Sequence, residues 1–141
     1  MYRKQNLASM AVMLTMCALA CVGCSRRSVK DHMPPAAAAE KAVVTALTAW
    51  QAGKPPGVLE PEQPDSPTVH AVDSEWLAGK KRLAKFEAVE QLPNADGPPK
   101  FKVRLTYQQS SETIEAIYFV VGKNPLLVYR DADFETKATG M

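Results

Sequence analysis

The sequence predicts an α+β domain: an N-terminal signal helix, then one long helix packed on a curved antiparallel sheet of about four strands. Three observations carry this expectation. Leu7 to Cys24 is an uncharged run, Ala36 to Ala52 repeats apolar residues at helical spacing, and four stretches after Arg82 change to strand-like patterns. Antiparallel pairing follows from the short turns between those stretches, since a parallel return needs a long crossover. A helix laid across the sheet then gives two layers around one core.

The first element is LASMAVMLTMCALACVGC, preceded by Arg3 and Lys4 and followed by Ser25, Arg26 and Arg27. A basic start, an apolar centre and small residues at the end compose a secretory signal peptide. A spanning helix needs about 20 apolar residues, so the run is marginal for a permanent anchor. Arg26, Arg27 and Lys30 also disfavour an uncleaved anchor, because they would have to cross the membrane. Val22-Gly23-Cys24 resembles the lipobox of bacterial lipoproteins. That resemblance implies cleavage before Cys24 and lipidation of its thiol, with fatty acids such as palmitate as the membrane anchor. Cys21 stands where the family usually has leucine and is the alternative lipidation site, while Ala18-Leu19-Ala20 also suits ordinary cleavage after Ala20. In the family, a non-acidic residue such as Ser25 after the acylated cysteine permits outer-membrane sorting. The expected organisation is a signal peptide over 1–23, a tether over 24–34, a single domain over 35–135 and a frayed end over 136–141. The expected location is the cell envelope, with the domain lipid-anchored and facing the periplasm or exterior.

All three cysteines, Cys17, Cys21 and Cys24, lie in this run. Their C-x3-C-x2-C spacing resembles the iron–sulfur ligand motif of radical SAM enzymes, but three thiolates inside an apolar export segment are poorly placed to hold a cluster. Cleavage before Cys24 leaves 118 of the 141 residues and no pair of cysteines for a disulfide. It removes two of 17 basic side chains and none of 15 acidic ones, so a formal charge of +2 becomes zero. Neutrality argues against nucleic acid as a partner.

Pro34-Pro35 suits the opening turn of a helix over 36–52, and Gly53 suits its C-terminal cap. Ala39, Val43, Ala46, Leu47 and Trp50 share one face of it, with Lys41, Thr45, Thr48 and Gln51 opposite. Lys54 to Val69 carries Pro55, Pro56, Pro61, Pro64 and Pro67, which predicts an extended surface connection. Asp73 is placed to cap a short helix through Trp76 and Leu77 that stops at Gly79. Lys80, Lys81, Arg82 and Lys85 then read as a solvated strand edge. Leu83 to Leu92 is a strand of imperfect alternation, suggesting a bulge. Phe101, Val103, Leu105 and Tyr107 alternate with polar residues in the clearest half-buried strand. Thr113 to Val121 is apolar on both faces, as a central strand should be, and Leu126 to Arg130 forms the last strand. This order is similar to the cystatin-like and nuclear-transport-factor-like α+β folds, a resemblance of element order that implies a fold and carries no function.

Chemistry is sparse. His32 and His70 stand apart, and His70 and Asp73 form a pair of the kind common by chance. There is no H-E-x-x-H, P-loop or G-x-S-x-G, and Ser110-Ser111 has no histidine near it in sequence. Asp131 and Asp133 lack a glycine-bounded calcium loop, and Arg130-Asp131 reads as a strand-end charge pair. No catalytic residue, metal or cofactor is expected. Trp50, Tyr107, Tyr118, Phe119 and Tyr129 are candidates to line a pocket between helix and sheet, with core filling as their default role. The expected function is a non-enzymatic binding or envelope-structural lipoprotein, with the membrane as one partner and a protein or peptide as another. The alternative is a small-molecule-binding or enzymatic domain that uses the pocket.

Overall fold

The computed structural model describes residues 29–61 and 63–134. The expected signal peptide with Cys17, Cys21 and Cys24, most of the expected tether and the C-terminal end expected to fray lie outside the described residues. Val29–His32 forms a 3-10 turn. From His32 onward the described residues belong to one compact unit. Among the described residues no helix is long and apolar enough to cross a membrane.

Helix α1 (Ala36–Gln51) starts at Pro35, whose carbonyl accepts the amide of Ala39 at 3.0 Å. Its end is a Schellman turn: Gly53 N donates to Trp50 O and Lys54 N to Ala49 O, both at 3.0 Å. Gly53 can close this turn because it adopts φ +77°, which side chains with a Cβ rarely accept. Ala39, Ala42, Val43, Ala46, Leu47, Ala49 and Trp50 are buried, so the small residues bring the helix backbone close to the sheet.

The sheet has six strands, not about four, and it is mixed rather than antiparallel throughout. Strands β1 (Gly57–Leu59), β2 (Val69–Val72), β3 (Leu83–Leu92), β4 (Lys100–Tyr107), β5 (Thr113–Val121) and β6 (Leu126–Arg130) lie in the order β1-β2-β6-β5-β4-β3. β3 to β6 form the expected antiparallel meander. β2 pairs in parallel with β6, Val69 opposite Leu126 and Val72 opposite Tyr129. The segment between them, from the short helix α2 (Ser74–Ala78) through β5, is the long connection that a parallel pair requires. β1 arises inside the proline-rich stretch. Three residues free of proline suffice for an edge strand, and among the described residues only β2 pairs with it.

Two bulges explain the imperfect alternation of β3. The register shifts between Leu83 and Lys85 and again between Glu87 and Glu90, where Ala88 takes φ +52°. Each extra residue delays the next inward position by one, so Leu83, Phe86 and Val89 recur every third residue and still meet the core. Phe101, Val103, Leu105 and Tyr107 on β4, with Ala116, Tyr118 and Val120 on β5 and Leu126 and Val128 on β6, complete the sheet's buried face. α1 packs there against β2, β3, β5 and β6.

Candidate functional site

Two regions concentrate side chains with chemical potential. The first lies where β2, β4, β5 and β6 converge beneath α2. Asp73 caps α2 as the sequence suggests: its Oδ1 accepts the amides of Glu75 at 2.9 Å and Trp76 at 3.3 Å. Its other oxygen accepts the Tyr118 hydroxyl at 2.6 Å and Arg130 Nε at 3.1 Å, with Arg130 Nη2 at 3.0 Å. Arg130 also places Nη1 3.0 Å from Glu75 Oε2 and donates through Nη2 to Tyr118 at 3.0 Å and Tyr107 at 3.4 Å. The Tyr107 hydroxyl donates to Glu75, whose second oxygen meets Lys81 Nζ at 3.3 Å. Two carboxylates thus face two cations, and the side chains of Arg130 and Asp73 are only 8% and 4% exposed.

These contacts perturb the titrations in opposite directions. Burial raises the Glu75 carboxyl, but the Tyr107 hydroxyl, Arg130 and Lys81 outweigh it and hold the pKa below the ordinary value. Burial first and the bond to Glu75 second push Tyr107 up to about 12. Tyr118 is pushed well above the ordinary tyrosine range by burial and by the charge of Asp73. Burial alone would lower Arg130, yet Tyr118, Asp73 and the Tyr107 hydroxyl raise it, so the guanidinium stays charged. Among the described residues no buried side-chain polar atom lacks a partner. A set bonded this completely holds strands together and offers no free acid or base to a substrate.

The second region is an open groove of about 760 Å³ on the outward flank of α1. Ala37, Val44, Thr48 and Ala52 line one wall, and Pro55, Val58 and Leu59 the other. Val44 is 37% exposed and Val58 68% exposed. A smaller recess of about 120 Å³ beneath Pro61 and Pro67 shares Lys41, Thr45, Leu59 and Glu60 with it, so the groove deepens toward the proline-rich loop. Glu40, Lys41, Lys54 and Glu60 rim the groove, and none of them forms an ion pair among the described residues.

The five aromatics proposed from sequence do not converge on one pocket. Trp50 stacks on Trp76 at 5.7 Å and meets Tyr107 at 5.9 Å, with its indole nitrogen donating to Lys81 O at 3.3 Å. Tyr118 joins the ionic cluster on that same buried face. Phe119 and Tyr129 point to the other face, where their rings stack at 5.4 Å and Phe134 meets Phe119 edge-on. Consecutive residues of a strand, Tyr118 and Phe119, cannot share a face. Parity likewise separates His70 from Asp73, since His70 lies opposite Val58 and Leu127 while Asp73 turns into the cluster. Arg130 pairs with Asp73 and Glu75; Asp131 lies 3.4 Å from Lys100, and Asp133 accepts from the amide and hydroxyl of Ser74. Among the described residues no group of three or more metal-ligating side chains comes together.

Sequence reasoning missed both regions. The groove had two small signals, Val44 on the polar side of α1 and the apolar pair Val58-Leu59 among prolines. The inward place of Arg130 follows from alternation with Leu126 and Val128, once those two are known to face the core. No known protein family, curated protein or solved structure matches the chain.

Proposed function

We propose that the chain is an exported binding module, held to a membrane through lipid on Cys24, whose groove between α1 and β1 takes up a partner. The observation that carries the binding reading is the contrast in pairing: charges at the sheet's end are bonded to one another, whereas four around an apolar recess have no ion partner among the described residues. Exposed apolar surface rimmed by unpaired charge is the usual form of a binding surface. The export and lipid parts rest on the uncharged run and on Val22-Gly23-Cys24. The aromatic space between helix and sheet supports the small-molecule alternative less well, because Trp50, Trp76 and Phe101 fill it with their own rings.

Two experiments test the halves separately. Growth with radioactive palmitate should label the protein, lose the label in Cys24→Ala and retain it in Cys21→Ala; unchanged labelling of Cys24→Ala would overturn the anchor. A photo-crosslinking amino acid at Val58 should give a defined adduct in cells, whereas the same group at Glu87, on the opposite sheet edge, should not. Equal yields at both positions would remove the groove from consideration.

A further inference from the structure

Resting on the reading of the groove as a binding site, we propose that its ligand is an extended polypeptide segment. That segment adds as a further strand to the free edge of β1 and lays alternate apolar side chains against α1. The sheet order ends at β1, which pairs with β2 along one side only. Among the described residues no strand pairs with its other side, whose few backbone donors and acceptors are a template for strand addition. The opposite edge, β3, is longer but ill suited: two bulges break its register, and Lys85, Glu87 and Glu90 line it with charge. β1 has no charged residue and borders the recess, and Pro55, Pro56 and Pro61 confine pairing to its three residues.

The two walls of the groove suit one another in period. Side chains on one face of a strand recur about every 6.6 Å. Val44, Thr48 and Ala52 follow each other at four-residue intervals on α1, hence at about 6 Å. A strand running along the helix therefore meets a helix residue with each inward side chain, and these small or apolar contacts favour valine-sized partners. The rim decides between a peptide and an acyl chain. Glu40 and Glu60 ask for cations, Lys41 and Lys54 for anions, and an acyl chain offers neither while leaving the β1 edge unpaired. A peptide with alternating apolar residues and a flanking charge of each sign satisfies the edge, the floor and the rim together.

The test uses the full chain in lipid nanodiscs and a fluorescein-labelled peptide of alternating valine and threonine, with lysine at one end and glutamate at the other. Anisotropy should show saturable binding. Val44→Glu and Thr48→Glu, both at exposed positions on the groove flank of α1, should each weaken it about tenfold or more, as loss of a buried apolar contact implies. Methylating peptide amides one at a time should weaken binding at alternate positions only, and this scan leaves the protein's fold untouched. Methylation effects that do not alternate overturn strand addition. Binding unaffected by either substitution overturns the groove as the place where the peptide docks. If no peptide binds while a crosslinker at position 58 still gives a defined adduct, the polypeptide ligand is wrong and the groove stands; adduct mass then identifies an acyl chain or other occupant. If the adduct is missing too, both readings fall.

Discussion

At one end of the sheet, Arg130 lies buried between Asp73 and Glu75 with two tyrosine hydroxyls completing its bonds. Along the flank of α1, Glu40, Lys41, Lys54 and Glu60 stand over an apolar floor without ion partners among the described residues. Both regions mix charge with apolar surface, yet their physical consequences are opposite. Buried ions carry a large desolvation cost and are tolerated only where partners offset it, so the first region is committed to the fold. Exposed ions lose little when unpaired, so the second can keep its charges for another molecule.

Substitution should make that contrast measurable. The largest effect is expected from Arg130→Met, which leaves the carboxylate of Asp73 buried and uncompensated; denaturant unfolding should show a loss of about 3–5 kcal/mol. The double variant Asp73→Leu/Arg130→Met should cost less than the two single changes summed, because no isolated charge remains. Strict additivity would mean that the pair is not coupled. Tyr118→Phe removes one hydroxyl from the same cluster and should cost about 1–3 kcal/mol in the same measurement.

Titration offers a subtler comparison. Tyr107 is raised in the folded chain, so its contribution is complete below the ordinary tyrosine pKa of 10.0 and is lost as pH climbs toward about 12. Glu75 is lowered, so its contribution is present above the ordinary glutamate value of 4.5 and is lost as pH falls through its folded pKa. Unfolding midpoints measured across both limbs should fall at each end, and Glu75→Gln should flatten the acid limb. The smallest effects belong to the groove: Lys41→Glu and Lys54→Glu should change unfolding free energy by no more than about 0.5 kcal/mol. A larger loss in either would show that these lysines serve the fold, and the contrast would fail.

What was legible in the sequence was whatever local spacing determines. β4 could be read because Phe101, Val103, Leu105 and Tyr107 alternate without interruption, and α2 because Asp73 and Gly79 bracket it. β3 was harder, since bulges turn a two-residue period into a three-residue one that resembles neither strand nor helix. β1 was hidden by its prolines: its three residues become a strand only because β2 lies alongside. The ionic cluster was least accessible, because Asp73 and Arg130 are 57 residues apart and meet only through the parallel pairing of β2 with β6. Nothing local to Arg130 separates an inward guanidinium from a strand-end charge pair with Asp131.

That parallel seam also bears on the order in which the molecule can be made. Among the described residues β6 is the last strand in sequence, yet it lies in the interior of the sheet, joining β2 to β5. Until it emerges from the ribosome, β1 and β2 have no sheet to join and Asp73 has no guanidinium to meet. Since non-local pairing must await the distant segment, the two parts of the sheet cannot join before Leu126–Arg130 is in place. Closure of the core is therefore set by the most distant pairing in the sheet, not by the local meander of β3 to β5.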